Sequence, residues 1–188
     1  MLTRICYALV MAWRYRKMLK AYRTESALQA AKVVILDPVL LKAEGIKVLV
    51  IDVDGVLTSF GELIVTKEIE SWLNSCVSIM GEGRVVVLTN KPTTERSQYY
   101  ANTFKGIQLV QARRKKPYPD GLQQIMLQAK VKPEEVLMID DRLLTGILAA
   151  LIAKTKGCYI TDPTICIKKH PLPELFFIVL RKIERLVI

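Results

Sequence analysis

The 188-residue sequence predicts an α/β domain, a parallel β-sheet with helices on both faces. Three observations carry that prediction. Lys47–Ile51, Arg84–Leu88 and Val136–Ile139 are short runs dominated by Val, Leu and Ile, too continuously apolar for strands with one face in water. Segments with helical spacing separate them, as the crossovers of a parallel sheet require. Each run also stops at polar residues, at Asp52, Thr89-Asn90 and Asp140-Asp141 in turn. In such a sheet, ligands gather beyond the carboxyl ends of the strands.

The first 24 residues hold no acid and six bases, Arg4, Arg14, Arg16, Lys17, Lys20 and Arg23. Met11, Tyr15, Met18, Leu19 and Tyr22 recur at helical spacing with the bases mostly opposite. Residues 1–30 are therefore expected to form a basic amphipathic helix ahead of a single domain over 31–188. Such a helix suits an anionic membrane surface, or it packs on the domain with its basic face in water. No small-residue cleavage pattern follows the apolar run Ile5–Trp13, which argues against a secretory signal. An organelle-targeting segment is the second reading of this acid-free start.

Asp37-Pro38 then marks a helix start. Lys47–Ile51 is the first buried strand. Thr66 caps a helix running to Ile79, in which Ile69, Trp72, Leu73 and Cys76 recur at helical spacing. The strand Arg84–Leu88 follows, then a helix over Thr94–Phe104, a strand at Ile107–Val110 and a helix at Pro119–Lys130. Val136–Ile139 is the next strand, Leu143–Lys154 an apolar helix and Cys158–Ile160 a short strand. A helix over Leu175–Ile188, basic at Arg181, Lys182 and Arg185, closes the chain.

Composition removes several function classes. Apolar residues make up 51% and mean hydropathy is +0.25, too apolar for a disordered chain. The longest charge-free stretches, Ser71–Gly81 and Leu143–Ala153, are 11 residues each, whereas a spanning helix needs about 20. His170 is the single histidine, which excludes HExxH and multi-histidine metal sites. The four cysteines form no CxxC, so neither a zinc ribbon nor a disulfide framework is expected. Reduced thiols in the cytoplasm are the default.

The polar strand ends form a set. Asp52 and Asp54, in Asp52-Val53-Asp54-Gly55-Val56, fall on one side of a strand end. Two carboxylates that close can divide labour, one attacking phosphorus while the other moves a proton for the leaving group. A hard divalent cation would offset their repulsion. Thr89 and Asn90 offer a hydroxyl and an amide to phosphoryl oxygens, and Lys116 offers positive charge. Asp141, with Asp140 beside it, completes an oxygen-ligand cation site.

Each feature also has a plainer explanation. DxDG occurs in calcium loops, although an EF-hand needs Gly where this chain has Leu57 and Glu where it has Leu63. Thr89 could simply end a strand, Lys116 lies in the basic run Arg113–Lys116, and Asp141 suits a helix N-cap. Four such clusters, in this order and at successive element ends, favour the chemical reading.

Asp52-x-Asp54-Gly-Val, Thr89, Lys116-Pro117 and Asp140-Asp141 resemble the four motifs of the haloacid-dehalogenase (HAD) superfamily of phosphatases. Gly45-Ile46-Lys47, Arg114–Pro117, Glu134–Thr145 and Lys182–Arg185 narrow the resemblance to its YqeG-type subfamily, which includes phosphatidylglycerophosphate phosphatases. The likeness runs from near Ile35 to the end. It implies a Rossmann-like sheet and an Mg²⁺-dependent phosphomonoesterase working through an aspartyl-phosphate. Asp52 would be nucleophile and metal ligand. Asp54 would be the general acid/base and lend its backbone carbonyl to the metal. Thr89 and Lys116 would hold the phosphoryl oxygens, and Asp141 would ligate the metal.

The chain departs from the subfamily pattern at Gly55 and Val56, where members usually carry Asn and Thr. Members also usually read Gly-Asp-Gln-Leu-Leu-Thr-Asp where this chain has Asp140-Asp141-Arg142-Leu143-Leu144-Thr145-Gly146. The motif's second acid is thus missing at Gly146, and adjacent Asp140 is the candidate substitute.

Only 26 residues (58–83) and 25 residues (91–115) separate the motif segments, where a separate cap domain would need on the order of 50. An uncapped site suits a large or anchored phosphate ester. Residues 25–162 carry 17 bases against 16 acids, so nine of the ten surplus charges lie in the two terminal segments. That disfavours a general nucleic-acid binder and favours basic terminal helices on an anionic membrane surface. The expected activity is dephosphorylation of phosphatidylglycerophosphate, a phospholipid headgroup, by a peripheral cytoplasmic enzyme. A HAD phosphatase for soluble sugar phosphates or polynucleotide ends is the enzymatic alternative. The alternative of another class is a non-catalytic HAD-fold membrane or scaffold protein, degraded at Gly146.

Overall fold

A computed structural model describes residues 2–188. Six strands, β1 (Gln29–Ala30), β2 (Val48–Ile51), β3 (Val85–Leu88), β4 (Ile107–Val110), β5 (Val136–Asp140) and β6 (Lys156–Ile160), form one sheet in the order β1-β6-β5-β2-β3-β4. Every pairing is parallel. The helices are α1 (Leu2–Thr24), α2 (Pro38–Ala43), α3 (Lys67–Met80), α4 (Thr94–Thr103), α5 (Asp120–Ala129), α6 (Leu148–Ala153) and α7 (Pro171–Val187). The expected α/β class and parallel sheet are both present.

The alternation of side chains along β2 sets the two faces. Leu49 and Ile51 join a core with Trp72, Leu73 and Cys76 of α3 and Tyr100 of α4. Val48 and Val50 join the opposite core with Leu122 and Ile125 of α5 and Ala149, Ala150 and Ala153 of α6. Caps fix the helix starts that orient these faces. Asp37 accepts from the Val39 amide at 2.8 Å, Thr66 from Ile69 at 3.4 Å and Thr93 from Arg96 at 3.2 Å.

Four elements differ from the sequence reading. β1 is an edge strand of two residues paired with Tyr159 and Ile160, too short to leave a periodic signal. The apolar segment after β5 opens with a wide π-type turn, Leu143–Ile147, before α6 begins. α1 packs on the domain through Leu19 and Tyr22, which meet Leu143, Ile147, Leu148, Leu151 and Tyr159. Its expected division into apolar and basic faces is incomplete. Met18 lies at the edge of the buried stripe and is exposed, and Leu2, Leu9, Val10 and Trp13 point outward.

α7 begins at Pro171, four residues before the expected start, and its polarity is reversed. The residues it buries are Glu174, Arg181 and Glu184. Its expected basic face is therefore corrected: Arg181 is buried and Arg185 half-buried, leaving Lys182 outside. Among the described residues no helix is long and apolar enough to cross a membrane.

Candidate active site

β5, β2 and β3 are neighbours in the sheet, and their register sets Ile51 beside Val87 and Ile139. The chain leaving each strand therefore delivers Asp140-Asp141, Asp52 and Thr89 to one edge. Lys116 enters from the segment after β4. Asn90 holds its backbone on both sides: Oδ1 accepts from the Lys116 amide at 2.7 Å and Nδ2 donates to the Lys116 carbonyl at 3.2 Å. The Lys116 ammonium then sits 2.9 Å from Asp52 Oδ1 and 2.6 Å from Asp140 Oδ2, with all three residues buried. Asp140 Oδ1 accepts from the Arg142 amide at 2.9 Å. A cavity opens over Asp52, Asp54, Thr89 and Asn90, walled by Phe60, Phe177, Arg142 and Arg181. Residues 58–83 and 91–115 fold mainly into α3, α4 and β4 of the body, as an uncapped arrangement requires.

Asp54 and Asp141 each face an arginine. Arg96 from α4 holds Asp54 with two bonds, NH1 to Oδ2 at 2.9 Å and NH2 to Oδ1 at 2.6 Å, and the Gly61 amide donates to Oδ1 at 3.0 Å. Arg181 from α7 donates to Asp141 Oδ2 from Nε, with its NH2 also 2.5 Å away. Asp141 Oδ1 is buried without a partner. Asp141 does not act as a helix cap, because the turn at Leu143 carries no side-chain cap.

Burial and ion pairing together set the charge states. Burial pushes the Asp52 carboxyl up to about 7, with Lys116 opposing and Asp140 adding to the rise. Asp141 is raised to about 6 by burial, opposed by Arg181 and assisted by Asp52. Asp140 is raised for the same first reason. For Lys116 burial disfavours the ammonium, but Asp140 and Asp52 outweigh it and hold the group above its ordinary value. Asp54 goes the other way, since Arg96 outweighs its burial and keeps the carboxylate below its usual range. While Arg96 is in place, Asp54 is held as the carboxylate and has no proton to donate.

Asp52, Asp140 and Asp141 offer three carboxylate oxygens within 4.8 Å of one another. An all-oxygen donor set with an orphaned oxygen on Asp141 fits a hard divalent cation. Two glycines make room for this cluster. Gly55 has φ +95°, and a Cβ there would overlap the Asp141 carboxylate and lie 2.7 Å from Arg181 NH2. A Cβ on Gly146 would overlap the Asp140 carboxylate. The space a side chain at 146 would enter is filled by Asp140.

The structure brings Asp52, Asp54, Thr89, Asn90, Lys116, Asp140 and Asp141 to one place. Thr89 Oγ1 accepts from the Lys91 amide at 3.1 Å, leaving its hydroxyl proton available to the cavity it lines. The Asn90 amide faces the Lys116 backbone and works there as a clamp. Sequence reasoning missed Arg96, Arg142 and Arg181. Arg181 had one legible signal, the helical spacing of Glu174, Arg181 and Glu184 within an otherwise apolar segment.

The model of the mitochondrial PGP phosphatase family matches residues 22–165. The chain belongs to that family. It is accordingly a HAD-type phosphatase, and the matched span contains Asp52, Asp54, Thr89, Lys116, Asp140 and Asp141. α7 lies beyond the matched span, so Arg181 and Glu184 fall outside it. A crystal structure of an uncharacterized protein from Listeria monocytogenes serotype 4b is similar over 73% of this chain and 99% of its own, at 12% identity and a TM-score of 0.51. That likeness shows the fold. A HAD family enzyme from Bacteroides thetaiotaomicron, solved as a magnesium complex, aligns over 62% of this chain and 93% of its own, at 17% identity and a TM-score of 0.41. Among curated proteins none matches this chain.

Proposed function

We propose that this protein removes the terminal phosphate of phosphatidylglycerophosphate at an anionic membrane surface, with Asp52 as the nucleophile. The observation that carries the reading is the meeting of Asp52, Lys116, Asp140 and Asp141 at adjacent strand ends, in a chain whose family is named for this activity. The family's description as mitochondrial favours an organelle over the cytoplasm.

Asp52 attacks phosphorus, and the bond to the glycerol oxygen breaks. The phosphoryl group passes to the Asp52 carboxylate, and the departing oxygen takes a proton from Asp54. Water then attacks the aspartyl-phosphate while Asp54 accepts a proton, which regenerates Asp52 and releases phosphate. Arg96 favours the Asp54 carboxylate, so its ion pair must loosen before Asp54 carries the first proton. Lys116 balances negative charge around Asp52, and the Thr89 hydroxyl donates to a phosphoryl oxygen. Asn90 is a positioning residue that acts through Lys116. Asp52, Asp141 and the Asp54 backbone carbonyl would hold Mg²⁺, with Asp140 standing in for the acid absent at Gly146. When bound, Mg²⁺ would neutralise charge on the phosphoryl oxygens.

The test is phosphate release from phosphatidylglycerophosphate in mixed micelles with Mg²⁺. Asp52→Asn should abolish it. Hydrolysis by that variant at the parental rate would overturn the mechanism. A soluble sugar phosphate cleaved faster than the lipid, with or without vesicles, would overturn the substrate assignment.

A further inference from the structure

α7 turns its charges inward and its apolar side chains outward. Glu174 Oε1 accepts from the amides of Phe60 and Cys166, each at 3.0 Å. Glu184 pairs with Arg142, Arg181 with Asp141, and Arg185 donates to the Tyr159 hydroxyl at 2.8 Å. Leu172, Leu175, Phe176, Val179, Ile183 and Leu186 form the opposite stripe and are 46–83% exposed. A helix held by a polar seam with its apolar stripe in water is unpartnered on its outer face.

The charges around that stripe identify what covers it. Both acids of α7 are buried, while Lys182 and, just before the helix, Lys168 are exposed, and the neighbouring Lys169 is paired with Glu62 at 2.8 Å. An apolar face bordered by lysines and free of exposed acid is complementary to an anionic lipid interface. A second copy of the same face would bring lysines against lysines.

Arg181, on the inward side of the same helix, lines the cavity. Its Nε and NH2 engage Asp141 Oδ2, and its NH1 is buried without a partner. The guanidinium occupies Asp141 Oδ2, and its positive charge opposes a divalent cation at the free Oδ1. A phosphate at the cavity mouth would offer Arg181 a bidentate acceptor and release the carboxylate. We propose that α7 seats its apolar face in an anionic lipid surface, and that this contact transfers Arg181 from Asp141 to a headgroup phosphate and opens the cation site. The proposal rests on Asp141 being a cation ligand. Linkage makes the effect reciprocal, so lipid tightens Mg²⁺ binding by the factor with which Mg²⁺ tightens lipid binding.

Calorimetric titration of the full chain with Mg²⁺ tests this, with three arms: no lipid, phosphatidylcholine vesicles, and vesicles containing phosphatidylglycerol. The heat of Mg²⁺ binding to vesicles alone is subtracted. Anionic vesicles should tighten Mg²⁺ binding about tenfold, within the usual range of coupling between sites, and neutral vesicles should not. Arg181→Gln should bind Mg²⁺ tightly without lipid and gain nothing from it. Phe176→Glu/Val179→Glu, at exposed positions, should keep the lipid-free Mg²⁺ affinity of the parent and lose vesicle binding. Equal Mg²⁺ affinity with and without anionic vesicles would overturn the coupling and leave the phosphatase reading standing. Absence of Mg²⁺ binding in every arm would overturn the ligand assignment of Asp141 as well. A parent dimer that Phe176→Glu/Val179→Glu converts to monomer would assign the face to a second copy and overturn the lipid docking.

Discussion

Lys116 lies between Asp52 and Asp140 because a buried carboxylate pair needs a counter-charge within hydrogen-bond reach. Asp52, Asp54, Thr89, Lys116 and Asp141 were legible in the sequence because each falls at or near the end of a recognisable element. Arg96 was not, and Arg181 only through its helical spacing with Glu174 and Glu184, since the two meet Asp54 and Asp141 across 42 and 40 residues and only the fold makes those pairs. Two predictions belong at this scale. Gly146→Asp alone should destabilise the protein, because its side chain overlaps the Asp140 carboxylate. Adding Asp140→Gly removes the overlap, so the double variant should recover about 1–3 kcal/mol of the loss, the size expected for contacting residues in a double-mutant cycle. Urea denaturation of the four proteins measures this, and additive losses would refute the overlap.

The second concerns pH. Folded Asp52 titrates at about 7 and folded Asp141 at about 6, against about 3.9 for an unfolded aspartate. Between those values the folded state binds more protons than the unfolded state. Their contribution is complete below about pH 4 and is lost as pH rises through the folded values, so stability in EDTA should fall from about pH 4 to 7. Mg²⁺ should oppose that fall, because the cation selects the deprotonated carboxylates. Thermal unfolding midpoints across this range, with EDTA and with Mg²⁺, are the measurement. A midpoint in EDTA that rises toward neutral pH would contradict the burial argument.

At the level of elements, strands were read well wherever both faces are buried. β2, β3 and β5 are continuous apolar runs because helices cover the sheet on each side. The terminal helices were read less well, since hydrophobic spacing shows that a helix has an apolar stripe but not whether that stripe meets protein. In α1 the inward stripe is set by Leu19 and Tyr22, whereas Leu9 and Trp13 face out. Leu19→Ala should therefore cost about 2–5 kcal/mol, as deletion of a fully buried leucine does. Leu9→Ala and Trp13→Ala should change stability by no more than about 0.5 kcal/mol. Chemical denaturation separates the two groups. Equal small effects at Leu19 and Leu9 would mean that α1 does not pack on the domain in solution.

For the whole molecule, net charge alone overstated how basic the outer surface is. The sequence places nearly all of the +10 surplus in the two terminal segments. Folding then turns Arg181 onto Asp141 and Arg185 onto Tyr159 and the Thr161 carbonyl. What remains outward on α7 is Lys182 beside an apolar stripe, so attraction to an anionic surface should have an electrostatic part and an apolar part. Salt separates them. Raising ionic strength from about 0.1 M to 1 M shortens the screening length from about 10 Å to about 3 Å, which should weaken binding to phosphatidylglycerol vesicles without abolishing it. Burial of apolar area is not screened, and strongly excluded salts such as sulfate even strengthen it. Vesicle co-sedimentation in sodium chloride and in sodium sulfate at matched ionic strength should therefore show more protein bound in sulfate. Complete release in both salts would mean that charge alone holds the protein to the surface and that the outward stripe of α7 stays in water.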